Sequence, residues 1–333
     1  GGMPGPDGNP TERVEELELG PAEGGGFVAL RKEDGVTLSV GEVAAQAFRP
    51  DDLALRDTVV FNLSPELIEG MTIQEGDRTQ RFERDAGSFQ LLEPKGKGLR
   101  ADPGFAQEAI AAFSKLRAER WAARTAEPAF GLTEPRFEVT ARLAEGATSD
   151  PKARELAIRV GARTDDGAYA QVVGKDGVFI LPRRFEELMH RLYVSREEFP
   201  IPPELIERLV IERGGEKLTL ARDGKQLKLE GGGGSARESE IVAALAQLTP
   251  QTAVAIGGPQ PAHGLEPPLL TLRMTLRRFP DDPPDAETKV VIVLGAADVW
   301  DGIPIHYARR EGIDAVYAIP QKPVRALLTA LGG

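Results

Sequence analysis

Cysteine is absent from the 333 residues, which excludes disulfides, thiolate nucleophiles and cysteine-ligated metal sites. Histidine is almost as scarce, with three residues in all, and aromatics make up only 6%. Long apolar runs are missing too. VVIVLGAA at 290–297 falls well short of the roughly 20 residues that a membrane-spanning helix needs. No charged-then-apolar signal segment opens the chain, and no Lys/Arg-rich cluster interrupts it. With 52 acidic against 41 basic residues the formal charge is −11, which argues against binding nucleic-acid backbone and against electrostatic docking to anionic lipid. What remains is ordinary for globular protein: 41% hydrophobic and 28% charged residues, enough for two domains or three small ones. The opening GGMPGPDGNP is too rich in Gly and Pro to pack, so residues 1–13 read as a tag or disordered lead.

The informative feature is a repetition. LSPELIEGMTI (63–73) returns as IPPELIERLVI (201–211), an offset of 138 residues between Glu66 and Glu204 (204 − 66). Both copies continue with a hairpin pattern turning at Arg-Asp-(Ala)-Gly, RTQRFERDAGSFQLLE (78–93) and EKLTLARDGKQLKLE (216–230). A helix follows in each. The first is capped by Asp102 with Pro103 in its opening turn, and the second carries Ile241, Val242, Leu245 and Leu248. GLTEP (131–135) then answers GLEP (264–267), and each leads into a strand. ELAIRVG (155–161) and KVVIVLG (289–295) match one another and VEELELG (14–20), and a short helical segment closes each unit at 41–48, 182–193 and 320–331. Loop insertions fall at 144–153, 231–235 and 280–288, where added length costs little. The expected organisation is a partial module over 14–62, the C-terminal half of a repeat, then full modules over 63–194 and 195–333. Each full module is expected to be an antiparallel β meander with one long and one short helix, an α+β fold.

Candidate chemistry is sparse. DVWDGIPIHY (298–307) offers Asp298, Asp301 and His306 as weak metal or proton-transfer candidates. The matching stretch RTDDGAYA (163–170) reads instead as a hairpin turn at Asp165-Asp166-Gly167, since Asp-Gly suits positive φ. His190 follows Glu186 and Glu187 on a helix, where an ion pair is the simpler reading, and His263 stands where the first copy has Phe130. PDDPPDAE (280–287) lacks the spacing of a calcium loop, and the glycine runs at 23–27 and 230–235 lack a phosphate-binding pattern. Ser64 reads as a helix cap rather than a nucleophile. Tyr169, Tyr307 and Trp300 are the candidates for stacking a ligand, and Trp121 and Trp300 read as partner platforms or core. No catalytic residue and no cofactor are expected.

The order of these elements resembles a bacterial family catalogued as domain of unknown function 4340. The similarity rests on LALRDTVVFNL (53–63), the hairpin, the helix and the Gly-Leu-x-x-Pro turn. It continues in IRVG (158–161), Tyr169 and GVFIL (177–181), and again in IVLG (292–295), Tyr307 and AVYAI (315–319). The second copy departs from it, with SREEF (195–199) in place of LRDTVVF. The resemblance implies a periplasmic setting, on the extracytoplasmic face of the inner membrane, and attachment through an anchor that this chain lacks. It also implies kinship with auxiliary proteins of gliding-motility ABC transporters, and it implies no activity. The leading expectation is a non-enzymatic interaction or scaffold protein whose partners are proteins, ABC-transporter subunits among them. A glycan or peptide receptor and a metal-assisted hydrolase are the alternatives.

Overall fold

The computed structural model describes residues 16–21, 26–41, 52–147, 154–232, 234–279 and 288–332. The lead at 1–13, the helical segment read over 41–48 (Gly41 apart) and the acidic stretch 280–287 lie outside these residues. Strands β1 (Leu17–Pro21), β2 (Phe27–Arg31) and β3 (Thr37–Val40) form a small antiparallel sheet in chain order.

A first large sheet contains β4 (Ile68–Glu75), β5 (Arg78–Asp85), β6 (Ser88–Glu93), β7 (Arg120–Ala123), β8 (Phe137–Leu143), β9 (Glu155–Arg163), β10 (Gly167–Val172) and β11 (Val178–Pro182). Its order is β6-β5-β4-β8-β9-β10-β11-β7. The second large sheet is built from β12 (Ile206–Arg213), β13 (Glu216–Asp223), β14 (Gln226–Leu229), β15 (Thr252–Ile256), β16 (Leu270–Leu276), β17 (Lys289–Trp300), β18 (Ile303–Arg310) and β19 (Ala315–Pro320). Its order, β14-β13-β12-β16-β17-β18-β19-β15, is the first order with eight added to every label. Helices α1 (Asp52–Leu55), α2 (Pro103–Ser114), α3 (Arg183–His190), α4 (Ser235–Ala246) and α5 (Gln321–Leu331) complete the described residues.

The expected α+β class is overturned. Strands account for 45% of the described residues and helix for 20%, in three sheets and five helices among them, so the fold is antiparallel and β-rich. The cause is physical. Every sheet pairing among the described residues is antiparallel, so most neighbouring strands join directly. A helix intervenes only where the chain crosses from one edge of each sheet to the other, through α2 and α4. The helices that exist, α2 with α3 and α4 with α5, pack on one another and against a sheet face.

Strand β8 shows why these residues form strands: Phe137, Val139, Ala141 and Leu143 are buried while the residues between them are half-exposed, the period-two pattern of a one-sided sheet. Residues Val178–Leu181 of β11 and Ala315–Ile319 of β19 are buried throughout. On the second sheet Leu265, from the Gly-Leu turn, packs with Ile305, Tyr307, Val316 and Ala318 in a cluster separate from the main core.

The repeated Pro-Glu-Leu-Ile-Glu now has a structural meaning. In each copy Pro-Glu-Leu is a 3-10 turn feeding the strand that follows. The arginine of the Arg-Asp hairpin clamps that turn: Arg84 Nε donates to Ile68 O at 2.9 Å and Nη2 to Pro65 O at 3.2 Å. Arg222 makes the same two bonds, at 2.7 Å to Ile206 O and 2.5 Å to Pro203 O. The arginines share the offset of the turns (222 − 84 = 138), so two distant sequence motifs recur because they touch. The Arg222 side chain is 7% exposed and the residue as a whole half-buried, whereas Arg84 is exposed. Replacing Arg222 with alanine removes both bonds, one of them to the carbonyl of the buried Ile206, and is expected to cost about 2 kcal/mol. Arg84→Ala, where water can substitute, should cost less than about 1 kcal/mol; equal losses in urea unfolding would refute this account.

Two local readings need correction. Ser64 caps no backbone group; its hydroxyl donates to the Glu66 carboxylate beside it. The segment LALRDTVVFNL, which the resemblance marks as the entry to a strand, makes a single bridge, Val59 with Arg117. The turn before it persists in both copies with different chemistry. Asp57 Oδ1 accepts from Val59 N at 3.0 Å, and Ser195 Oγ accepts from Glu197 N at 3.2 Å, an Asx turn replaced by its hydroxyl equivalent.

Where the two large sheets meet, Asp102 Oδ1 caps α2 by accepting from Phe105 N at 3.0 Å, while Oδ2 accepts from Arg196 Nε at 2.9 Å. Arg196 Nη1 reaches on to Gln251 O at 2.9 Å. Ala101 bridges Val194, and side chains alternate along the connection: Tyr193 enters the first core, Leu192 and Val194 the second.

A cleft between the two large sheets

The sequence candidates do not converge. Tyr169 is half-buried and stacks on Phe130 with ring centres 4.3 Å apart. Tyr307 is buried at 9% exposure, lies 4.6 Å from the His263 ring and donates its hydroxyl to Asp298 Oδ2. That bond, with burial, pushes the Tyr307 phenol up to about 12, and it holds Asp298 below the usual carboxylate range. The tyrosines therefore occupy one packing position in the two sheets, each under the ring of a Gly-Leu turn.

Asp298, Asp301 and His306 cannot share an ion in this arrangement. Asp298 is engaged by Tyr307, and neighbouring strand residues face opposite sides, which turns His306 away. His306 is 4% exposed with Nδ1 3.0 Å from Gly295 O. Asp301 (φ 49°) and Gly302 (φ 74°) form the tip of the β17–β18 hairpin, both left-handed as a type I′ turn demands. His263 accepts from Gln260 N through Nδ1 at 3.0 Å, and burial lowers its pKa, which keeps the ring neutral. Among the described residues no group of three or more histidines and carboxylates is placed to hold a metal.

His190 belongs to a cluster that sequence reading missed. Glu186, 5% exposed, accepts from Arg136 Nη1 at 2.9 Å and from Arg163 Nε and Nη2 at 3.0 and 2.8 Å. His190 lies between Glu186 and Glu75, at 3.5 and 3.1 Å. Burial pushes the Glu186 carboxyl up, but the two guanidinium hydrogen bonds prevail and hold it at about 2. A buried carboxylate that stays ionised and whose Oε1 takes all three guanidinium bonds is a structural pin rather than a proton donor.

One candidate does reach open space. Trp300 lines a cleft of about 750 Å³ where the two large sheets face each other. The end of the β17–β18 hairpin supplies an apolar wall of Val299, Trp300 and Ile303, which are 61%, 41% and 44% exposed. The first sheet and its helix contribute Arg78, His190 and Arg191 to the lining, which also includes Arg196 and residues 251–254. Only Glu187 and Asp301 bring carboxylates to the lining.

Strands β7 and β15 went unread in the sequence, and they close equivalent ends of the two sheets. Their signal was slight: RWAA and TAVAI are four and five residues long. Their surroundings differ. The outer side of β7 is roofed: α1 packs against it, Arg56 sits 3.4 Å over the Trp121 ring, and Trp121 Nε1 donates to Asp57 O at 2.8 Å. The chain then runs on past the end of β7, with Ala118 N bonded to Thr58 O at 2.8 Å. Trp121 is thus a half-buried packing residue rather than a platform. In the second sheet β15 pairs with β19 alone among the described residues, and its start lines the cleft.

No curated protein and no solved structure matches the chain. Residues 126–268, from the Gly-Leu turn of the first sheet to that of the second, match the family model described as Domain of unknown function (DUF4340), which supports kinship with that family.

Proposed function

We propose that this is a non-catalytic binding protein, made of two copies of one β-rich unit, that holds another polypeptide in the cleft between them. The observation that supports this most is the cleft itself: an apolar hairpin tip left in solvent, facing arginines, beside a sheet edge. An exposed apolar patch bordered by polar groups is the usual mark of an interaction site. The residues that chemistry would need are instead committed to packing, to turns or to the Glu186 cluster. A role outside the cytoplasm, as an accessory of a membrane transporter, is the setting we favour, on the resemblance noted in the sequence. Glycan binding at Trp300 is the second reading, favoured by the half-exposed indole on the cleft wall.

Purification of the tagged natural protein from its host, in parallel with a Trp300→Ser/Ile303→Ser variant, tests the proposal. The expected result is a set of transporter subunits recovered with the unaltered protein and lost with the variant. Recovery unchanged by the variant would place the contact elsewhere. A melting temperature raised by glycans alone would move the assignment to the second reading.

A further inference from the structure

The open side of β15 and the roofed side of β7 occupy the same position in sheets of the same strand order. In the first sheet the chain itself covers this side: α1 packs against β7, Arg56 lies over the Trp121 ring, and residues 58–60 bond to 116–118 just ahead of the strand, with Val60 N donating to Leu116 O at 2.9 Å. The corresponding segment of the second sheet, 195–199, makes other bonds. Phe199 N turns back to Arg196 O, and only the Arg196 side chain reaches Gln251 O. From Thr252 onward the outer edge of β15 has no described partner.

Unpaired backbone N–H and C=O groups in a half-buried place demand partners, and an extended strand meets a row of them. The surroundings say what kind. Val299, Trp300 and Ile303, all exposed, offer apolar contacts for alternate side chains of an added strand. Arg78, Arg191 and Arg196 line the same cleft in a chain of net charge −11. Each has one carboxylate partner, Glu75 at 3.3 Å, Glu108 at 2.9 Å and Asp102 at 2.9 Å, and each guanidinium has further donors to give.

We infer that β15 is the receiving edge for an acidic, extended peptide segment of a partner protein, which adds as a ninth strand and lays alternate side chains on the Trp300–Ile303 hairpin. The inference rests on the reading of the cleft as a polypeptide-binding site and specifies how the segment is held.

A display library of random ten-residue peptides, selected against the whole chain, tests it. Enriched sequences should be proline-poor, β-branched and rich in Asp and Glu. The best synthetic peptide should slow amide exchange in β15 at least tenfold and bind at least tenfold more weakly to Trp300→Ser/Ile303→Ser. Affinity should also fall with added salt and with Arg78→Glu. Enrichment of basic peptides, or binding that leaves β15 amides unprotected, would overturn the inference. So would a failure to enrich any peptide over the double variant, or self-association of the chain through β15 with no peptide bound. If the host partner is lost with the double variant while β15 amides stay unprotected in its complex, the binding-protein reading survives and the added-strand mode fails.

Discussion

Gly295→Ala is expected to cost about 3 kcal/mol and to lower the melting temperature by roughly 10 °C. A Cβ at this position would lie 2.1 Å from His263 O and 2.9 Å from Gly264 O. Both are backbone atoms of the 3-10 turn that covers the outer face of the second sheet, so no side chain can swing aside. Gly161 repeats the situation in the first sheet, where a Cβ would meet Phe130 O at 2.0 Å, and Gly161→Ala should cost about as much. In both copies the glycine carbonyl is also held, by Arg136 Nε at 2.6 Å and by His306 Nδ1 at 3.0 Å, so the strand cannot retreat without losing a buried bond. Gly258, with open space around it and no positive φ, is the control: Gly258→Ala should fall within about 0.5 kcal/mol of the unaltered protein. If the three variants melt together, close approach of strand and turn is not what these glycines serve.

The second large effect is electrostatic and depends on pH. Glu186 is held at about 2 against an ordinary 4.5, so its charged form favours the folded state. Its contribution is complete above about pH 5 and disappears as pH falls through the interval from 4.5 towards 2. The shift corresponds to about 3 kcal/mol; with Arg163 largely in solvent at 70% exposure, about 2 kcal/mol is the expected effect at neutral pH. Urea unfolding of Glu186→Gln should show that deficit at pH 7 and close it near pH 2. A deficit constant across this range would mean the side chain acts through shape alone.

What the sequence disclosed was local. The Arg-Asp hairpins, the Asp102 cap with Pro103 after it, and the turns at Asp165–Gly167 and Asp301-Gly302 depend on residues a few positions apart, and each stands where the spacing put it. Class was misjudged because helical periodicity is conspicuous over eleven or twelve residues, whereas many short strands leave fainter traces. Both edge strands were lost in this way. The Glu186 cluster was illegible because its arginines lie 50 and 23 residues from it, distances that only the sheet brings together. Tyr169, Tyr307 and Trp300 were grouped by residue type, and the fold separated them: a tyrosine inside a strand can pack under a turn, while the hairpin tip had nowhere to put its indole.

The connection through Tyr193 carries a final consequence. Because successive side chains from Leu192 to Val194 are buried in different cores, and Asp102 ties the start of α2 to Arg196, the two sheets are joined through packed cores rather than through a free linker. A cleft built on such a joint is expected to be preset rather than hinged. A guest would find its seat already shaped, pay little for reorganising the host, and arrive without a closing step to limit its association rate.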